Sequence, residues 1–223
     1  MKLYNLPPNP RAILFDIDCT LYTSDLWAEE QIAIQVRHFA GLRGVLEAEA
    51  FQMIEQERSR HEKETGKKTS LGNALTAFGV PIAESIRWRE TLLEPQQFLN
   101  PDTVLRKVLI SLGERFSLAA VTNNPTIPAT KTLEALGVLD LFPILVGLDT
   151  TGMSKPHPEP YLTAARELGV PSNECISVGD RYDIDIAIPL ELGMGGILVD
   201  GVHDVYELPK LLQRFSLKNS SSL

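Results

Sequence analysis

The chain has 223 residues, 43% of them hydrophobic, with 29 acidic against 21 basic side chains and a net charge of −8. That length suits one large domain, or one domain carrying a smaller insert, and the acidic balance argues against a nucleic-acid partner, which calls for a basic face. Two cysteines, Cys19 and Cys175, make neither a C-x-x-C pair nor a disulfide framework. No run approaches the ~18 apolar residues of a spanning helix, and no basic segment leads into an apolar core at the N-terminus. The expectation is a cytoplasmic protein that meets no membrane.

Residues 11–17, RAILFDI, form a short apolar run behind Pro10 and read as a buried strand. From Ser24 onward apolar residues recur at helical spacing with charges between them. SDLWAEEQIAIQVRHFAG (24–41) opens on a Ser cap and early acids and closes on Gly41, the start and stop signals of a helix. LEAEAFQMIEQERSRHEKETG (46–66), SLGNALTAFGV (70–80) and IAESIRWRETLL (82–93) read as three more, with Trp27, Phe39 and Trp88 on their apolar faces. After the NPD of 100–102 helices and strands alternate. TVLRKVLISLGE, IPATKTLEALGV and PEPYLTAARELGV are helical, the last with Pro at its start. FSLAAVT (116–122), PILVG (143–147), CISVG (175–179) and GGILV (195–199) are strands, and DIDIAIPLELGM before the last of them is a helix bent near Pro189. Alternation of this kind means a parallel sheet covered on both faces. The predicted fold is α/β: a doubly wound, Rossmann-like core of 1–21 and 99–215, an all-helical insert of 22–98, and a polar, Ser-rich, disordered tail of 216–223.

In open parallel sheets, ligands sit beyond the carboxyl ends of the strands. Three core strands run directly into polar clusters: FDIDCT, VTNN and VGDRYDID. Together they bring Asp16, Asp18, Asp180, Asp183 and Asp185 to one edge, where like charges raise one another's pKa or recruit a cation. Hard oxygen donors with few nitrogen or sulfur neighbours favour Mg²⁺. A twelve-residue calcium loop counted from Asp16 or Asp180 fails on spacing. Of the two aspartates in DID, one is suited to attack phosphorus and the other to move the proton. Thr122 and Asn123 supply a hydroxyl and an amide for phosphate oxygens, and Lys155 supplies a compact positive charge. Phosphoryl transfer asks mainly for positioning and charge neutralisation. Taken singly, each cluster also reads as ordinary turn or helix-start chemistry.

DIDCTL, VTNN, KPHPEPY and GDRYDID stand in this order along nearly the whole chain. In that set the sequence resembles the haloacid dehalogenase superfamily, on its phosphatase side, with the look of its pyrimidine 5′-nucleotidase-like and phosphoglycolate phosphatase-like members. The resemblance implies a Mg²⁺-dependent hydrolase of a small phosphate monoester, a nucleoside monophosphate or phosphoglycolate, working through an aspartyl-phosphate. It implies Asp16 as nucleophile, Asp18 as acid/base, and Thr122, Asn123 and Lys155 as phosphate ligands. Asp16, Asp180 and Asp18 (through its backbone carbonyl) would hold the metal, with Asp185 and Asp183 in support. The helical insert matches a mobile cap, in which Lys67 and Lys68 stand where relatives carry a specificity loop. Cys19 replaces the Gly or Asn usual in relatives, a small residue that should be tolerated and that brings an oxidisable thiol to the site. The rival readings are a 2-haloacid dehalogenase, disfavoured because halide needs no proton from an Asp18, and a non-catalytic binding module on the same fold. Oligomeric state is left open.

Overall fold

The computed structural model describes residues 1–66 and 69–213. The chain divides into two compact units, Met1–Ser24 with the chain from Pro95 onward, and Asp25–Glu94. Among the described residues no helix is long and apolar enough to cross a membrane.

The first unit is built on six strands: β1 (Lys2–Tyr4), β2 (Ala12–Phe15), β3 (Ser117–Val121), β4 (Ile144–Val146), β5 (Cys175–Gly179) and β6 (Gly195–Leu198). They stand in the order β1-β6-β5-β2-β3-β4, all parallel except β1, which pairs antiparallel with β6 at one edge. All four residues of β2 are buried, so both of its faces are covered. Ala12 and Leu14 pack with Ala119, Val121, Tyr161 and Ala164 in one cluster, while Ile13 and Phe15 alternate to the opposite side, as side chains on a strand must. This is the near-continuous apolar strand of a parallel sheet. The α/β fold is as the sequence implies. β1 is the addition: a three-residue edge strand with Lys2 and Leu3 exposed carries too short a pattern to announce itself.

The second unit is all-helical: α1 (Asp25–Arg43), α2 (Glu47–Thr65), α3 (Leu71–Thr76) and α4 (Ile82–Leu92). Val36, Phe39, Ala40, Ala50, Ile54, Ala74, Leu75 and Trp88 form its core. Gly41, expected to end α1, lies inside it. The helix runs on to Arg43 and stops at Gly44, whose φ of +65° is the left-handed turn that closes helices.

Beyond Pro95 the helices include α5 (Thr103–Gly113), α6 (Thr126–Ala135), α7 (Leu148–Thr151), α8 (Pro158–Glu167), α9 (Ala187–Glu191) and α10 (Val202–Tyr206). Asp102 caps α5 by accepting from the N–H groups of Val104 and Leu105 at 2.9 and 2.8 Å. The bend expected at Pro189 falls earlier. Residues Tyr182–Ile186 make one wide π-type turn, and α9 begins after it, so Pro189 sits in a first turn whose N–H groups need no helical partner.

Candidate active site

Strands β5, β2 and β3 are neighbours, and from β2 the chain winds outward first to β3 and β4, then to β5 and β6 on the other side. The carboxyl end of β2 is therefore the topological switch point of the sheet. Asp16 stands there, its N–H donating to the Val178 carbonyl at 2.8 Å. Thr122 follows β3 and Asp180 follows β5. Parallel pairing in register, Phe15 beside both Ala120 and Val178, brings the three polar clusters level.

Lys155 is the centre of charge. Its side chain is 1% exposed, and its ammonium donates to Asp16 Oδ1 at 2.5 Å and to Asp185 Oδ1 at 2.7 Å. Burial alone would lower the Lys155 pKa, but Asp16 and then Asp185 outweigh it, so the group is held above the ordinary lysine value and stays charged. Asp16 is pushed up by burial, pulled back by Lys155, and pushed up again by Asp185 and Asp18, to about 7. Asp180 is raised by burial and then by Asp185.

One carboxylate oxygen from each of Asp16, Asp180 and Asp185 lies within 4.8 Å of the other two. Three carboxylates thus converge, two of them bonded to the Lys155 ammonium, and Asp180 Oδ1 is buried with no hydrogen-bond partner among the described residues. The nearest cation to it, Arg181 Nε, is 3.9 Å away. A buried acceptor without a donor costs free energy. An acidic set with such an atom fits a hard divalent cation.

Asp185 comes this close because residue 179 is glycine. A Cβ there would stand 2.3 Å from Asp185 Cβ. Asp185 is further held by its carbonyl accepting from Ser177 Oγ at 2.8 Å and its Oδ2 accepting from the Arg181 N–H at 3.1 Å. Asp183, two residues earlier, is exposed and outside the cluster.

The Asp18 carboxylate is likewise outside that cluster. Its Oδ1 accepts from the Tyr22 hydroxyl at 2.6 Å, and its Oδ2 from Asn124 Nδ2 at 3.0 Å and Thr122 Oγ1 at 3.4 Å. Asn123, expected to offer its amide to phosphate, uses it otherwise. Its Oδ1 accepts from the Lys155 N–H at 2.7 Å and its Nδ2 donates to the Lys155 carbonyl at 3.0 Å. The reason is geometric: the two ends of a carboxamide, one acceptor and one donor, pair with the N–H and C=O of a single residue and so tie the loop carrying Lys155 to the end of β3. Lys67 and Lys68 lie outside the described residues.

Tyr22, Asn124 and Thr20 were not singled out by the sequence. Ile17 to Leu21 turn once as a helix would, Leu21 N–H donating to the Ile17 carbonyl at 3.0 Å. That turn stacks side chains four apart. Asp16 thereby meets Thr20 Oγ1 at 3.4 Å, and Asp18 meets Tyr22. The i, i+4 spacing was the available signal. Burial and then Asp18 push the Tyr22 phenol far up, so it remains a donor. Cys19 sits in this turn at φ +60°, the left-handed region, which gives a physical reason for Gly or Asn in its place. Its thiol is raised to about 11 by burial and then by Asp180, Asp18 and Asp16.

An acidic, lysine-centred cluster at the switch point of a parallel sheet marks an α/β enzyme. A family model described as haloacid dehalogenase-like hydrolase matches residues 10–193, and the chain belongs to that family. It is 31% identical over 192 residues to a glyceraldehyde 3-phosphate phosphatase of Methanopyrus kandleri, covering 82% of this chain and 81% of that one. It is 31% identical over 182 residues to a phosphoglycolate phosphatase of Colwellia psychrerythraea, covering 75% of each. In fold it resembles a HAD phosphatase from Thermococcus onnurineus, with TM-score 0.61 and 21% identity over 91% of this chain and 97% of that one.

Proposed function

We propose that this chain is a Mg²⁺-dependent phosphatase that hydrolyses a small phosphate monoester through an aspartyl-phosphate intermediate. The observation that carries the reading is the convergence of Asp16, Asp180 and Asp185 beside the Lys155 ammonium, with Asp18 held separately by neutral donors. In this reading Asp16 attacks phosphorus. Lys155 favours the ionised form of Asp16 and, with Thr122, holds the phosphoryl oxygens. Asp18 gives a proton to the leaving oxygen and afterwards takes one from the attacking water. Mg²⁺ held by Asp16, Asp180 and the Asp18 backbone carbonyl would neutralise charge on the transferring group. Asp185 positions Lys155, and Asn123 braces the loop beneath it.

A hydroxyl-bearing leaving group needs a proton and a halide does not, so an Asp18 carboxyl group placed beside Thr122 supports the phosphatase reading over the dehalogenase one. The relatives named for phosphoglycolate and glyceraldehyde 3-phosphate support a short-chain phosphate ester ahead of a nucleoside monophosphate. The helical unit Asp25–Glu94 takes the part of the family's cap and, with it, substrate choice.

The test is hydrolysis of p-nitrophenyl phosphate, then of phosphoglycolate, glyceraldehyde 3-phosphate and nucleoside monophosphates, with Mg²⁺ and with EDTA. Turnover should require Mg²⁺ and vanish in Asp16→Asn. Mg²⁺ should also raise the melting temperature of the unaltered protein and leave Asp180→Asn unmoved. Turnover that survives Asp16→Asn overturns the aspartyl-phosphate route.

A further inference from the structure

We infer that Tyr161 and Ser177 are positioning residues for Lys155: their hydroxyls hold the turn that presents Asp185 to the Lys155 ammonium. The inference rests on the phosphatase reading above and adds to it two residues that act through Asp185. In the wide turn Tyr182–Ile186 the Tyr182 carbonyl accepts from the Ala187 N–H, five residues on. At that spacing the Ile184 carbonyl would look to residue 189, which is proline and has no N–H. At the ordinary helical spacing of four, the Asp185 carbonyl would look to the same proline. Two buried hydroxyls stand in for the missing donor. Tyr161 donates to the Ile184 carbonyl at 2.5 Å, and Ser177 donates to the Asp185 carbonyl at 2.8 Å.

Both hydroxyls are mounted on rigid parts of the fold. The Tyr161 ring is 1% exposed and packs with Ala12, Leu14 and Ala164. Ser177 lies in β5, which is paired on both sides by β2 and β6. It shares a face of that strand with Gly179, two residues on, where the Asp185 side chain comes closest. The turn they hold is irregular, and its first two residues, Tyr182 and Asp183, are exposed. Tyr161 also stands in the first turns of α8, directly after the loop that carries Lys155. One phenol thus links the Asp185 turn to the helix that follows Lys155, the two segments whose side chains meet at 2.7 Å. Without the hydroxyls the packing remains, but the two carbonyls lose the donors that set the height of the turn.

Losing this hold should show in turnover, because a misplacement of about 1 Å in a catalytic group costs about 10²-fold. The experiment measures kcat and KM on p-nitrophenyl phosphate with Mg²⁺, for the unaltered protein, Tyr161→Phe, Ser177→Ala and Asp185→Asn, and for each hydroxyl variant combined with Asp185→Asn. Assays are run where urea unfolding shows every variant folded. Tyr161→Phe keeps the ring and its packing, and is expected to lose about tenfold or more in kcat. Ser177→Ala should lose a similar amount, and it carries the test should Tyr161→Phe fail to fold. Asp185→Asn keeps an oxygen for the Lys155 ammonium and so retains a residue of turnover, and in that background neither hydroxyl variant should lower kcat further. A hydroxyl that only stabilises the fold would lower the urea midpoint and leave the kcat of the folded protein unchanged. Unchanged kcat in the folded hydroxyl variants, or an undiminished further loss in the Asp185→Asn background, overturns the positioning role and leaves the phosphatase reading standing. Absence of turnover by the unaltered protein overturns both.

Discussion

Replacing Gly179 with alanine tests how tightly the site is packed. The added Cβ would meet Asp185 Cβ at 2.3 Å, Cγ at 2.5 Å and Oδ2 at 2.7 Å, where ordinary contact begins near 3.4 Å. Asp185 would therefore have to retreat by about 1 Å. It cannot do so freely, because its backbone carbonyl is tied to Ser177 and its side chain to Lys155 and the Arg181 N–H. A retreat of that size takes the 2.7 Å contact with Lys155 out of hydrogen-bond range. Overpacking costs about 1–3 kcal/mol, and losing a buried charge-assisted bond adds about 1.5–3 kcal/mol. We expect Gly179→Ala to lose about 2.5–6 kcal/mol in urea unfolding. Phosphatase turnover should fall by about 10²-fold, because Lys155 loses the Asp185 contact that positions it beside Asp16. In an Asp185→Gly background, where there is no Cβ to meet, the same substitution should cost far less. A Gly179→Ala protein within about 0.5 kcal/mol of the parent, or one that costs the same in both backgrounds, would refute the packing argument.

Lys155→Met leaves Asp16 and Asp185 buried side by side without their shared cation. It should destabilise the protein by about 3–5 kcal/mol and abolish turnover, and adding Asp185→Leu should recover part of the stability but none of the activity. Cys19→Gly removes a Cβ held at φ +60°. The left-handed conformation costs a non-glycine residue about 1–2 kcal/mol, and glycine's extra chain entropy returns about half of that, so urea unfolding should show a net gain of about 0.5–1 kcal/mol. Cys19→Ala keeps the Cβ and should gain nothing, and if it matches Cys19→Gly the strain argument fails.

The core was legible in the sequence wherever burial was continuous. AILF and CISVG are buried at every position, and such a run carries its own signal without any periodicity. What escaped was set by local geometry rather than composition. Gly41 and Gly44 are both compatible with a helix end, and only the backbone tells which turns left-handed. Lys2–Tyr4 becomes a strand because β6 offers it an edge to pair with, a tertiary fact with no local trace.

At the site the acidic residues were legible by spacing, because the carboxyl ends of adjacent parallel strands fix where their next residues go. Asp16 and Asp180 come together for that reason, and Asp185 joins them from the turn after β5. The roles of the neutral residues were not legible, since a hydroxyl or amide declares itself only through its partner. Asn123 and Asn124 are adjacent and chemically identical in sequence. One binds the Lys155 backbone from both ends of its amide, and the other holds Asp18. Tyr22 reads as one more apolar residue after Leu21, and its bond to Asp18 depends on a single hydroxyl brought there by the helical turn from Ile17 to Leu21. The charged residues thus define where chemistry happens, and the neutral ones decide in which orientation the charges are presented.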